Sequence, residues 1–579
     1  MAPLRVLAIA ALFTSLASSA TRAEAPPATE TNEPGASAEL KTNLRVEPDI
    51  WTVLRAQYQV PTHAVPLPPV TGLRSTPARL TLREAVLTAI RNNPGVIAAS
   101  LTPVAEESGI LGAQAQFDPL FSVDAGWSRS VEPQGTALAG ARTLTQINSN
   151  WDVSLAKGLR SGGQLSLAWR NRRFNTDSVF FDLAPQFKPA LEATLNQPLL
   201  RGFGLYFTSL RIHLAEHATA AAVERYKAAV ADFILRLVAD YWAVVGLEER
   251  LSVLKGSLEL AEKTVRDNRT RVQVGVLPPV AVLESEAEAA RRKEDVIKAT
   301  NDLEQAKRRL RQEVYLPSDE GYFPQAVAPV DRPTSEEIEI AVDEAIRLAL
   351  ERRPEVRAAR LDIESGQLNV ALNENQLLPR VDVFGSVGLN SLSGTATDRN
   401  PFLPTDGDTP ETPFQGGYSD ALNSLVDGRF YSYALGAKIE IPIGNAAARS
   451  AAERARVEHQ QAYDRFRQVV SDVSLEVGQA AGDVATDLER IETTRIAREL
   501  SEENLRNQTK RYEVGMVTTT DLLKFQNDLA AARVAEIQAL IAYNISRTKL
   551  ERAEGTLLSR FDVEVAARRQ TRTPWWARF

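Results

Sequence analysis

No cysteine occurs in this chain of 579 residues. Its absence excludes disulfides, thiolate metal sites and a cysteine nucleophile. It also excludes the residue on which a bacterial lipoprotein carries its anchor. Histidine is scarce, with only His63, His213, His217 and His459. His213 and His217 share one face of a helix, but no HExxH surrounds them and no third ligand is evident. A solvated helix face is expected there, and no metal site. GxSxG, P-loop and cofactor fingerprints are missing too, so no enzyme, catalytic residue or cofactor is expected. The formal net charge is −7, without a basic block interleaved with aromatics, which argues against nucleic acid as a partner. Beyond the N-terminus no segment holds about eighteen consecutive apolar residues, so no transmembrane helix is expected.

What is present has globular composition, 44% hydrophobic and 24% charged. The opening residues, MAPLRVLAIAALFTSLASSATRAEA, place one arginine before an apolar run from Val6 to Leu16, followed by small residues. Residues 1–25 read as a secretory signal, with cleavage after Ala20, Ala23 or Ala25. The run is too short to span a membrane as a helix. Residues 26–75, rich in Pro, Thr, Ala and Glu, read as an extended periplasmic arm.

The rest of the chain reads twice. LTLREAVLTAIRNNPGVIAA starts at Leu80 and IAVDEAIRLALERRPEVRAA at Ile340. The spacing of Pro94 and Pro354 is kept by Pro119 and Pro379. A unit this long is not a solenoid repeat. The expected domains are a first repeat over 76–316, a linker over 317–337, a second repeat over 338–558 and a tail over 559–579. Each repeat shows two short helices, then alternating segments (about 117–198 and 379–442), then a very long helix, a Val-Gly turn and a last helix. Val223, Tyr226, Val230, Phe233, Leu237, Tyr241, Val244, Leu251, Leu254 and Leu258 form a heptad-like seam. A helix of about 64 residues reaches on the order of 95 Å and needs long neighbours to bury such a seam.

Taken alone, the helices fit a plain coiled coil. The alternating segments decide against it. FSVDAGWS puts Phe121, Val123, Ala125 and Trp127 on one face, and YSYALGAKIEI does the same for Tyr431, Tyr433 and Leu435. Period two means strands. About ten residues of apolar-out, polar-in alternation with aromatics near the ends is the pattern of an outer-membrane barrel. Phe121, Val123, Trp127, Tyr431, Tyr433 and Leu435 are therefore expected to face lipid. So few strands cannot close a barrel alone, and open edges do not occur in lipid, so the chain is expected to oligomerise.

In combination these segments resemble the TolC family of bacterial outer-membrane efflux and secretion channels. The resemblance is carried by LTLREAVLTAIRNNP and VDEAIRLALERRPEV, by FDPLFSV and LLPRVDV leading into strands, and by QPLLRGFG and IPIGNAAAR leading out. The turns VQVGVLPP and YEVGMVTTTDLL complete it. It implies a mixed fold: a periplasmic barrel of long α-helices stacked on an outer-membrane antiparallel β-barrel shared by a homotrimer. It also implies four strands per chain and twelve per trimer, a periplasmic adaptor and a proton-driven or ABC-type inner-membrane pump as partners. The expected function is a passive exit duct for efflux or type I secretion.

The two Val-Gly turns are then periplasmic tips, at about 270–280 and 511–521. Arg271, Val274, Gly275, Arg511, Val514, Gly515, Thr519 and Asp521 become the candidate docking and gate residues. The first tip departs from the pattern, with Pro278 and Pro279 in place of threonines and Ala281 where an aspartate is expected. A second departure is WDVSLAKGLRSGGQLSLAW, an additional alternating hairpin over 150–170 flanked by longer loops at 129–148 and 174–187. Either it joins the barrel, giving six strands per chain and eighteen per trimer, or it stands above the membrane.

Overall fold

The computed structural model describes residues 77–135, 142–317, 324–397 and 412–564. The expected signal peptide, almost all of the arm and most of the tail lie outside the described residues. All described residues belong to one compact unit, Pro69–Phe579.

Strand β1 (Ala78–Leu80) leads into helices α1 (Leu82–Asn92) and α2 (Pro94–Gln114). Thr81 caps α1 in a reciprocal box with Glu84, and Asn93 caps α2 with Pro94 at its first position. Four strands follow: β2 (Leu120–Pro133), β3 (Thr143–Gly158), β4 (Gln164–Thr176) and β5 (Leu183–Pro198). Then come the long α3 (Leu205–Gln273) and α4 (Val280–Val314). The second half repeats the order. It has β6 (Val327–Pro329), α5 (Val342–Arg352), α6 (Pro354–Asn375), β7 (Arg380–Asn390), β8 (Ser393–Ala396), α7 (Tyr418–Val426) and β9 (Phe430–Glu440). The long α8 (Ala446–Glu513), α9 (Thr519–Glu554) and a short α10 (Leu557–Arg560) complete it. Among the described residues no helix is long and apolar enough to cross a membrane.

Each half buries its own core. In the first, Leu82 and Val86 of α1 meet Ile234, Leu237 and Tyr241 of α3, Leu310 of α4, and Leu557. In the second, Ala349 of α5 meets Val477 and Val484 of α8 and Tyr543 and Leu550 of α9. The expected seam therefore packs where it is apolar, at Val230, Phe233, Leu237, Tyr241, Val244 and Leu251. A charged cluster ties the halves together. Arg552 reaches Asp232 at 2.7 Å, Glu355 at 2.8 Å and Glu476 at 2.7 Å. Burial alone would raise the Glu355 carboxyl, but the adjoining Arg353 and Arg552 outweigh it and hold the group below its ordinary range.

The large sheet is antiparallel, in the order β2-β3-β4-β5-β7-β9, with β8 paired to the upper part of β5. The additional hairpin, β3 and β4, lies in line within the sheet. The loops expected at 129–148 and 174–187 are much shorter, because β2 runs to Pro133, β3 starts at Thr143, β4 runs to Thr176 and β5 starts at Leu183. Ladder hydrogen bonds continue there without an apolar face, so alternation underreports strand length. The parallel pair β1–β6 and helix α7 were not expected either. Three-residue strands are too short to show a period. Phe561, assigned to the tail from sequence, is buried against the first core.

Candidate functional site

Two regions carry functional geometry, the faces of the sheet and the turns that join the long helices. Side chains of directly paired strand residues point to the same face. Val123, Val153, Trp169, Leu191, Leu389 and Tyr431 stand side by side in one row across six strands. One residue along, the row is Ser122, Ser154, Ala168, Glu192, Gly388 and Ser432. One face is thus apolar and the other polar or small. All six candidate lipid residues share the apolar face, and all are exposed in the single chain: Phe121, Val123, Trp127, Tyr431, Tyr433 and Leu435. Among the described residues the end strands β2 and β9 each pair with one neighbouring strand.

Helix α7 packs on β5 and β8, and its first residue, Tyr418, reaches the inserted strands. The Tyr418 hydroxyl donates to Asn171 Oδ1 at 2.7 Å, and its ring packs edge-on to Trp151, with centroids 5.4 Å apart. Asn171 is fully buried, so this bond satisfies a polar group that water cannot reach.

The turns are built alike. Gly275 has φ +80 and Gly515 φ +76, in open space, so the left-handed turn itself demands glycine there. Val274, Val276, Val514 and Met516 are exposed around them. At the second turn Thr518 caps α9, accepting from the Asp521 amide at 3.2 Å, while Asp521 accepts from the Thr518 hydroxyl at 2.6 Å. Donation from the Thr518 hydroxyl, and then from the Thr518 amide, holds the Asp521 carboxyl below its ordinary value. The first turn lacks a side-chain cap, since Pro279 occupies that position. Arg511 is exposed, like Gly515 and Asp521.

Between the two hairpins lies a buried polar layer. The Tyr512 hydroxyl donates to Asn268 Oδ1 and sits 3.3 Å from Thr519 Oγ1. Asn268, fully buried, donates to Ala281 O at 3.3 Å. Arg271 donates to Tyr512 O at 3.3 Å and stacks over its ring at 4.9 Å. Higher up, Arg292 is only 4% exposed. It donates to Ser257 O at 2.9 Å, Gln526 Oε1 at 3.1 Å, Leu523 O at 3.2 Å and Glu288 at 3.2 Å. Gln526 bonds Thr264, and Asn527 bonds Glu288 at 2.6 Å. Burial pushes the Arg292 guanidinium down, and Glu288 restores part of the shift. For Glu288 burial acts upward, but Asn527 and Arg292 prevail and leave it lowered.

Residues 191–314 and 345–556 match the outer membrane efflux protein family, more than half of the chain. The chain belongs to that family. Its two matched segments fall in the two halves. Over 352 residues it is 24% identical to the outer membrane efflux protein BepC of Brucella suis, covering 60% of this chain and 67% of that one. The fold is that of solved outer-membrane channels. The Campylobacter jejuni CmeC channel superposes with a TM-score of 0.58 at 15% identity, covering 82% of this chain and 86% of that one. VceC of Vibrio cholerae gives 0.56 at 15%, covering 82% and 96%. The Neisseria gonorrhoeae MtrE channel, solved in an open state, gives 0.54 at 18%, covering 82% and 89%. This is a TolC-like outer-membrane efflux protein.

Within this efflux protein, Thr519 is buried in the layer between hairpins, and Arg271 reaches across to the second turn. Sequence reasoning offered both as candidate docking and gate residues. It missed Asn268, Tyr512, Arg292 and Gln526 altogether. The available sign was a change in the seam: below Leu254, α3 buries Ser257, Thr264 and Asn268 where apolar residues would continue a core. Small and polar residues on a core stripe mean that something polar faces them.

Proposed function

We propose that three copies of this chain form one exit duct. Their sheets close a common barrel in the outer membrane, with the apolar face toward lipid. Their long helices form a tunnel in the periplasm. The two turns dock a periplasmic adaptor, which links the duct to a proton-driven or ABC-type pump in the inner membrane. Cargo from efflux or type I secretion then crosses passively, without chemistry in this chain.

The observation that carries the reading is the single apolar row across six strands, whose end strands lack second partners among the described residues. A membrane sheet with two open edges is unsatisfied until neighbours close it. Native mass spectrometry of detergent-extracted protein is expected to give a trimer, and monomers alone would sink the reading.

The exposed valines and Met516 around the turns supply apolar contact area for an adaptor. The buried layer above them holds the hairpins together. Gly515→Trp tests the rim. Its positive φ costs a non-glycine residue roughly 1–2 kcal/mol locally, and the open space avoids a clash. Trimers are expected at normal abundance in the outer membrane, with export lost and adaptor crosslinking reduced. Normal export with normal crosslinking would remove the turns from the docking surface.

A further inference from the structure

We propose that hairpin β3–β4 is an insert in the barrel wall itself, so that each copy contributes six long strands and a trimer closes an eighteen-stranded exit. The inference rests on the trimeric reading above and concerns the width of the duct.

The pairing leaves little choice. Among the described residues β2 bonds only β3, and β5 bonds β4, β7 and the short β8. Lifting the hairpin out of the wall would strip β2 of that partner. The ladders are long, from Leu120–Ala156 to Pro133–Thr143 and from Gln164–Asn196 to Phe174–Gln186. The hairpin also carries the apolar row at the same level as its neighbours. Val153 and Trp169 lie between Val123 and Leu191. A hairpin projecting into water would have no use for that row.

The hairpin is anchored at its turn and midway up. At the lower end, its turn fits against the strand-to-helix junctions. A Cβ on Gly158 would lie 2.4 Å from Gln116 O, and one on Gly162, at φ +90, 2.1 Å from Gly202 O. Only glycine permits those approaches. The Gly204 amide donates to Ser161 O at 3.0 Å and the Thr208 hydroxyl to Arg160 O at 2.6 Å. Midway up, Tyr418 of α7 packs on Trp151 and bonds Asn171.

Barrel diameter grows roughly linearly with strand number. Six strands per copy instead of four widen the exit by about half. Barrels of 16–18 strands leave an aqueous channel. On the polar face the hairpin lines this channel with Asp152, Ser154, Ser166 and Arg170, the last paired to Glu192. The hairpin thus sets the size of cargo the exit admits.

The absence of native cysteine makes the test direct. Ser386→Cys, on the polar face of β7, accepts a single spin label per chain. With strands about 4.8 Å apart and tilted about 40°, an eighteen-stranded wall places equivalent backbone positions about 30 Å apart between copies, and a twelve-stranded wall about 20 Å. Electron–electron distance measurement on full-length trimers is expected to give the longer value. In a chain with residues 134–182 replaced by an Asn-Gly turn, the distance is expected to fall by about a third. A full-length distance near the shorter value, or no change on excision, overturns the inference. If the excised chain does not assemble, the full-length distance decides alone. A monomer in detergent overturns the trimeric reading, and this inference with it; a trimer with the short distance overturns only this inference.

Discussion

Outer membranes carrying Leu435→Arg are expected to hold far less assembled protein than those carrying Lys438→Arg. Leu435 lies on the apolar face of β9 and is 82% exposed in the single chain. Its partner in β7 is Gly385, which offers no side chain to shield a charge. Arginine on a lipid face near the midplane costs roughly 2–4 kcal/mol. Lys438 points to the opposite face, beside Asp382, where a cation is already accommodated. Val123→Arg and Asp124→Arg form the same contrast on β2, since Val123 pairs Val153 and Asp124 pairs Asp152. Heat-modifiable trimer in purified membranes is the quantity to measure. Equal loss at Leu435 and Lys438 would contradict the face assignment.

Arg292→Met is expected to unfasten the two helical hairpins while leaving the sheet intact. The substitution keeps the volume and removes every donor. It leaves Gln526 Oε1 without its donor, takes the side-chain donor from Ser257 O and Leu523 O, and leaves Glu288 with only Asn527 and Arg291. Breaking a buried charge pair by deleting one member costs on the order of 3–5 kcal/mol. Hydrogen exchange should therefore accelerate in 257–292 and 519–529, with the strands unchanged. Solute leakage through the duct should rise as the tunnel end loosens. Arg292→Lys keeps the charge without the planar fork and should fall between the two. Unchanged protection around Gln526 in Arg292→Met would show that Arg292 does not hold the hairpins.

Several of these positions were legible in the sequence, and the reason is local. The glycine turns were readable because a left-handed residue between long helices leaves few alternatives to glycine, as Gly275 and Gly515 bear out. The cap at Thr518 with Asp521 three residues on is likewise a short-range pattern. By contrast, Tyr512 and Asn268 are 244 residues apart, the other bonds that cross the buried layer between the hairpins span 231 to 262 residues, and no window along the chain brings such partners together. Helix α7 was hidden for a similar reason. Its Tyr418 is satisfied by Asn171, 247 residues away.

By itself, then, the sequence determined the long helices, the alternating part of each long strand, and which side of that strand each of its residues takes. These follow from periods of 3.6 and 2 and from backbone restrictions at Gly and Pro, which act within a few residues. Only the tertiary structure decided which strands are neighbours, that β3 and β4 lie in line between β2 and β5, and that Thr519 and Arg271 belong to a buried polar layer. Alternation states that a strand has two faces but not what its edges pair with. A buried hydrogen bond is worth having only once both partners have left water, and that depends on packing between segments far apart in the chain.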